Sequence, residues 1–530
     1  MLRKTTVGEK SMKNNTIPGV WLAVVVLLFT ADAKMFYVDP VFGKTENDGG
    51  RVSPWKTLQE VIDNNRIQTR AFANNPYRPG DTLKIKNAGA PVAAGDTLVL
   101  KTGYHGDIAI QGALNTEYIT IVAAAGQIPR VNHILLSGAA KWRIQGLSVS
   151  AAFDTVGHNR DLLFVDAEGW AGPSRDIIVE NCSLSSVDDA SFWTLNNWAT
   201  RACTGARIHG RKVVFQNNIV SNVDFGIRVV ADSCRIEKNV FENFTSTGIR
   251  LCGSSNCEFR NNVVRGFHKV TSEYGMGFQA YSTDPAGTGA VAHIKVVGNT
   301  IINTAPGQPF QGQMYGIACF SGIYDDWTVE NNIIMTNTWY GIAFNDVRNC
   351  RIINNTVCRY DTANEALPAI VISGGMKNFP CVVRNNLCAV ISIEGDSTCQ
   401  NDHNLFIGDP EEYFLDYRNR DLRLKPRCAA IDNGSPELAP ADDISGVARP
   451  RGMGVDVGAY EYVAPLAIRA ADIARVGFNK PALTNRNVFR VCDLRGRATI
   501  QRGSASGVYV VSAKNGKSRI SSAAIIRQLN

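Results

Sequence analysis

The stretch from Lys212 to Asn386 decides the fold, because one short phrase returns through it seven times. It reads KVVFQNNIV (212–220), CRIEKNVF (234–241), CEFRNNVV (257–264), IKVVGNTI (294–301), WTVENNII (327–334), CRIINNTV (350–357) and CVVRNNLC (381–388). Each copy alternates apolar and polar residues, reaches an Asn or Asn-Asn, and resumes with apolar or small residues. The last Asn of each copy falls at 218, 239, 262, 299, 332, 355 and 386, so the spacing runs from 21 to 37 residues. A minimum just above twenty with longer exceptions is the mark of a solenoid whose turns carry loops of different length.

A second mark keeps step with the first. Strand openings GIRVV at Gly226, GIRLC at Gly248, GFQAY at Gly277, GIACF at Gly316 and GIAFN at Gly341 follow the Asn corners. Alternating β-rich runs bounded by Gly and Asn read as strands joined by sharp turns. Asn tolerates the left-handed backbone of a tight corner. Neither a Leu frame nor a 3.6-residue period is present, which excludes leucine-rich and helical repeats. The expected fold is all-β: a right-handed parallel β-helix. Cys234, Cys257, Cys350 and Cys381 share one position of the repeat, filled by Ile294 and Trp327 in the copies between. Such a column is core filler, and no C-x-x-C metal spacing occurs. Stacked turns are within disulfide reach, so a Cys234–Cys257 bond stays open.

Outward from this stretch, residues 1–33 have the pattern of an export signal. Arg3, Lys4, Lys10 and Lys13 precede VWLAVVVLLF and the small-x-small site Ala31-Asp32-Ala33. That run is too short to span a bilayer, and no membrane span is expected after its removal. Residues 34–400 form the β-helix. The segment Pro54–Asn64 reads as an amphipathic capping helix, with Ser53 as cap and Trp55, Leu58, Val61 and Ile62 on one face. GDTLKI (80–85), GDTLVLKTGYHGDIAIQG (95–112), YITIVAAAG and WRIQGLSVS read as the first, irregular turns. His105-Gly106-Asp107 reads as a solvated turn.

Residues 401–463 break the pattern and close the stack, with Asp442, Asp443 and Asp456 read as solvated turn residues. Residues 464–484 form a linker, and 485–530 a small antiparallel β module by their alternation and Gly turns. From Ala464 onward there are 12 Lys/Arg and 2 Asp/Glu, whereas 34–463 carry 39 and 44, a net charge of −5. The excess of base therefore lies in the tail, and a nucleic-acid-binding face is not expected.

Two columns of charge follow from the repeat. Aligned on the strand glycines, Arg228, Arg250, Gln279, Ala318 and Ala343 share a position, and Asp188 falls one turn from Asp224. Like charges at this spacing repel and invite a counter-ion; the alternative is ion pairing on a solvated face. Three insertions, 191–205, 268–289 and 303–315, interrupt the same side and carry Trp193, Trp198, Tyr274, Tyr281, Phe310 and Tyr315. Aromatic faces beside polar groups suit sugar rings; they can equally anchor the loops.

The opening "YVDP…PWKTLQEVID", the turn "GDTLVLKTGYHGDI" and the Asn ladder resemble the pectate-lyase-like superfamily of β-helix proteins over roughly residues 35–400. The segment "CAAIDNG…DISGVARPRG…DVGAYEY" is similar to the closing segment of choice-of-anchor surface proteins. "VCDLRG…GVYVVSAKNG" resembles the C-terminal sorting domain of type IX secretion cargo. These resemblances imply an exported, cell-surface or secreted monomer that acts on polysaccharide, its tail engaging secretion machinery. The activity implied is β-elimination from an acidic glycan, which needs a carboxylate neutralised and a base. Arg228 and Arg250 are then expected to bind the carboxylate, with His268 or Lys269 as the base. Gln279, Tyr281, Trp193, Trp198, Tyr274 and Tyr315 are expected to bind sugar, and Asp188, Asp189 and Asp224 to hold Ca2+ through oxygen. The rival chemistry is hydrolysis by the Asp188–Asp224 pair; the rival class is a non-catalytic glycan-binding or structural surface protein. One departure stands out. Superfamily proteins often read His-Gly-Asp-Gly-Phe-Gln where this chain has Tyr274-Gly275-Met276-Gly277-Phe278-Gln279, so the titratable pair is missing.

Overall fold

The computed structural model describes residues 33–464, except 154–160, 168–169, 272–273, 285–288, 304–309, 311, 361–365, 375–379 and 395–397, together with strands at 491–492, 509–511 and 524–526. The export signal lies outside the described residues, as does nearly all of the linker. Contacts separate Met1–Val463 from Ala464–Asn530. In the second unit Val491–Cys492, Tyr509–Val511 and Ala524–Ile526 pair antiparallel.

The first unit is a parallel β-helix with three strand faces per turn. One inward column shows how the core is filled. Phe215, Ile236, Phe259, Val296, Val329, Ile352 and Val383 sit in register on successive turns and are buried. Alternation sends every second residue inward, so the stack becomes one continuous apolar rod. Cys234, Cys257, Cys350 and Cys381 are buried in it, as are Ile294 and Trp327. Their thiols are free, so no Cys234–Cys257 bond is formed.

Each Asn-Asn corner divides its work between two residues. The first turns the chain: Asn217, Asn261, Asn331, Asn354 and Asn385 have φ of 54–57°, Lys238 has 56° and Gly298 has 69°. The second bonds along the stack. Its side-chain oxygen accepts the backbone N–H of the equivalent Asn one turn earlier, at 2.8–3.0 Å from Asn218 through to Asn404. Its amide nitrogen donates back to a carbonyl, as Asn239 does to Phe215 at 2.8 Å. Every polar atom of the buried column has a partner, which is what keeps it from being costly.

At the N-terminal end the helix runs only from Leu58 to Asp63 and is capped by Thr57, not Ser53. The Thr57 side chain reaches the Glu60 N–H, the third residue on, which Ser53 is too distant to do. Leu58, Val61 and Trp55 are nevertheless buried against the first turn. His105 is also buried, its Nε2 against the Lys101 carbonyl at 2.7 Å, so that turn is not solvated. Leu83–Lys86 is not a turn of the stack. It pairs antiparallel with Thr69–Phe72 as a hairpin lying on the outside. Alternation alone marks a strand, not its partner.

The closing segment docks on the corners. Asn331 donates to the Asp442 carbonyl, Asn354 to those of Asp456 and Gly458, and Asn385 to that of Ser435. Asp443 and Asp456, expected in solvated turns, are buried and accept backbone N–H groups. A buried Arg449–Glu461 ion pair at 2.6 Å sits beside them.

Candidate functional site

The strands that open with glycine form one face. A Cβ on Gly205 would meet the Gly226 carbonyl at 2.5 Å, one on Gly226 that of Gly248 at 2.3 Å, and one on Gly316 that of Gly341 at 2.1 Å. Turns approach too closely here for any side chain, so glycine is required. The residue two places after each glycine falls in one column, partly exposed where it is arginine or glutamine and buried where it is alanine. On successive turns that residue is Arg207, Arg228, Arg250, Gln279, Ala318 and Ala343, in register, with Phe164 before Arg207. Arg207 completes a ladder of three arginines. It was missed in the sequence although Gly205-Ala206-Arg207 has the same Gly-x-Arg spacing as Gly226-Ile227-Arg228 and Gly248-Ile249-Arg250.

Three arginines in register on neighbouring turns, their backbones at the strand spacing of roughly 5 Å, put like charges side by side. Arg207 is neutralised by Asp161 at 3.2 Å. Arg228 and Arg250 have no ion-pair partner among the described residues. Instead both lie over the Phe225 ring, at 5.2 and 4.3 Å from its centre. Arg250 Nη2 donates to Thr247 Oγ1 at 3.2 Å. Arg228 Nε, Arg250 Nε and Gln279 Oε1 are withdrawn from the surface with no hydrogen-bond partner. Arg207 Nε, in spite of its ion pair, also makes no hydrogen bond, so four adjacent atoms of one column are unpaired in a folded protein, where buried polar atoms are almost always paired.

Two carboxylates flank the ladder. Burial raises the pKa of Asp161 against the pull of Arg207, and burial likewise raises that of Asp224 against its Thr245 hydrogen bond (2.9 Å) and the charges of Arg250 and Arg228. Beyond Arg250, Tyr281 Oη accepts the Cys252 thiol at 3.2 Å, and its ring lies 5.9 Å from the Arg250 guanidinium carbon. Next along the face, Tyr274 is about half exposed and stacks on Tyr315 at 5.0 Å; Tyr315 meets Tyr340 edge-on at 5.1 Å.

Other expected residues fall elsewhere. His268 is fully buried beneath Trp198, ring centres 4.6 Å apart, and burial drives its imidazole down to about 4. It is a neutral packing residue and no accessible base. Trp198 is buried too, with Trp193 edge-on against it at 4.9 Å, so this pair pins its loop and Trp198 offers no platform to sugar. Lys269 is exposed at the corner, its backbone N–H on the Phe310 carbonyl at 2.6 Å, and no described contact joins it to the arginines. Asp188 and Asp189 are exposed; Asp189 accepts the Ser191 N–H at 2.8 Å. Among the described residues no three His, Cys, Asp or Glu side chains converge as a metal requires. Asp188, Asp189 and Asp224 therefore do not make the oxygen cluster expected for Ca2+. The reason is local: a turn at Asp189 carries two of them into solvent while Asp224 is drawn inward by Thr245.

No protein family's sequence pattern matches the chain, and no curated protein matches it in sequence. Among solved structures, pectate lyase Pel9A aligns over 81% of this chain and 96% of its own, with 13% identity and a TM-score of 0.41. XylC, in its complex with xylose, aligns over 81% and 98%, with 10% identity and a TM-score of 0.48. The PL6 family polysaccharide lyase Pedsa3628 from Pseudopedobacter saltans aligns over 66% and 96%, with 14% identity and a TM-score of 0.35. The likeness extends to the parallel β-helix path and no further.

Proposed function

We propose that the arginine face binds an acidic, uronate-containing glycan, and that the protein is a carbohydrate-directed β-helix protein of the cell surface or medium. The observation that carries this reading is the run of unpartnered Arg228 Nε, Arg250 Nε and Gln279 Oε1. A row of carboxylates along a polysaccharide supplies acceptors for the two arginines and relieves their repulsion. Sugar hydroxyls reach Gln279 and Asp224, and the Tyr274–Tyr315 stack continues the face for ring contact. In this reading the signal exports the chain and the tail engages secretion machinery for sorting.

A second reading, β-elimination, is favoured by one observation: burial lowers the pKa of Arg250, and its Nε has no acceptor. Arg228 would neutralise the uronate carboxylate. Arg250, in its neutral form, would take the proton α to it, the electron pair forming the C4–C5 double bond as the C4–O bond breaks and the departing oxygen takes a proton from water. One experiment separates the two. Isothermal titration and near-UV absorbance are followed on the same protein with galacturonate, mannuronate and glycosaminoglycan oligomers, with and without Ca2+. Binding without absorbance marks a glycan-binding protein. Absorbance that grows with time and is lost in Arg250→Ala marks a lyase. Failure of every acidic oligomer to bind removes both readings.

A further inference from the structure

We infer that the cleft between the Thr69–Phe72/Leu83–Lys86 hairpin and the outer face is a second subsite for the same acidic glycan; this rests on the arginine face taking such a ligand. The cleft encloses about 450 Å³. Its floor is made by outward residues of the same face, Gln111, Leu135, Ser137 and Asp166. Leu135 belongs to the column that passes through Phe164 to Arg207. The floor thus lies two turns, roughly 10 Å, from the first arginine of the ladder. A single extended chain laid along the face meets both.

The cleft offers what a charged sugar needs. Lys84 and Lys86 are two residues apart on one strand, so they present their ammonium groups on the same side of it. Lys86 Nζ donates to the Gln111 carbonyl at 2.7 Å, which ties the hairpin to the floor and leaves donors on the nitrogen. Asp166 accepts from Ser137 Oγ at 3.0 Å, a polar pair set for hydroxyl groups. At the rim stands Trp170, 70% exposed. Its backbone is fixed: the Tyr77 N–H donates to the Trp170 carbonyl at 2.8 Å, and Gly172 lies against Phe72 and Tyr77. An indole held on a firm base with its side chain in water is a platform, and the C–H face of a sugar ring fits it. The hairpin, set apart from the repeat, supplies the cations that the first turns of the face lack.

The test is the length dependence of binding to the full chain, by titration with a trimer and an octamer of galacturonate and of mannuronate. In the wild type the octamer binds at least about tenfold tighter than the trimer, because only the octamer spans ladder and cleft. In Trp170→Ala/Lys84→Ala the trimer keeps its affinity and the octamer falls to the trimer's value. Both positions are exposed, so folding is expected to survive; Lys84→Glu alone gives the same direction and serves as the second variant. An octamer advantage that persists in these variants, or a wild type that binds trimer and octamer alike, overturns the cleft while leaving the arginine face standing. If neither series binds the wild type, the arginine-face reading fails and the cleft falls with it.

Discussion

Two polar ladders run up this β-helix, and they are opposites. At the asparagine corner, each side chain from Asn218 to Asn386 both accepts and donates, and nothing in the column is left over. On the arginine face, the Nε atoms of two neighbouring guanidinium groups and an amide oxygen are drawn from water with nothing to bond. Both columns arise from the same geometry, one residue repeated at the strand spacing. The asparagines satisfy each other because an amide is donor and acceptor at once; a guanidinium is donor only. A self-complementary column is a structural part. A column of one sign needs a partner from outside.

The comparison breaks most visibly if the arginines are made apolar. Arg228→Met/Arg250→Met should cost at least about 100-fold in affinity for an acidic oligomer, or about 2.7 kcal/mol. It should leave the melting temperature unchanged or higher, since removing unpaired like charges relieves strain. Titration and thermal unfolding on one sample check both; a fall in melting temperature would show the ladder to be structural. The converse change, Asn262→Ala, leaves the Asn239 N–H and the Ile236 carbonyl without the side-chain partners they have now. It should lower stability by roughly 3 kcal/mol and leave affinity alone, as read by denaturant unfolding and titration. The smallest effect sharpens the contrast through pH. Asp161 and Asp224 have raised pKa values, so they take up protons above the usual carboxylate value of about 4. As pH falls toward the usual carboxylate value these two groups protonate ahead of the others, the face gains positive charge, and an acidic oligomer should bind several-fold tighter. Asp224→Asn should flatten that profile.

The repeat made the fold legible because each turn restates the same inward and outward alternation, so seven copies outweigh the irregularity of any one. It also made the arginine column legible, since Gly-x-Arg fixes which residues share a position; Arg207 was there to be found by the same rule. What lay outside the repeat was hidden. Whether His268 faces substrate or lies under Trp198 depends on a loop with no period. Whether Leu83–Lys86 joins the stack or folds back depends on a partner strand that alternation does not name. The corner held a subtler surprise: the left-handed residue is the first of each pair, which is why Lys238 and Gly298 can stand there while the second Asn never varies from Asn218 to Asn386.

The docking of the closing segment on Asn331, Asn354 and Asn385 has an architectural consequence. It works as a ruler laid across the final coils, gauging their separation, with its Asp443–Gly446 stretch reaching back beside Lys238, Asn261 and Gly298. A single deletion between Asn331 and Asn385 would therefore throw the ruler out of step, because the three corners it reads are fixed to three separate carbonyls of one segment.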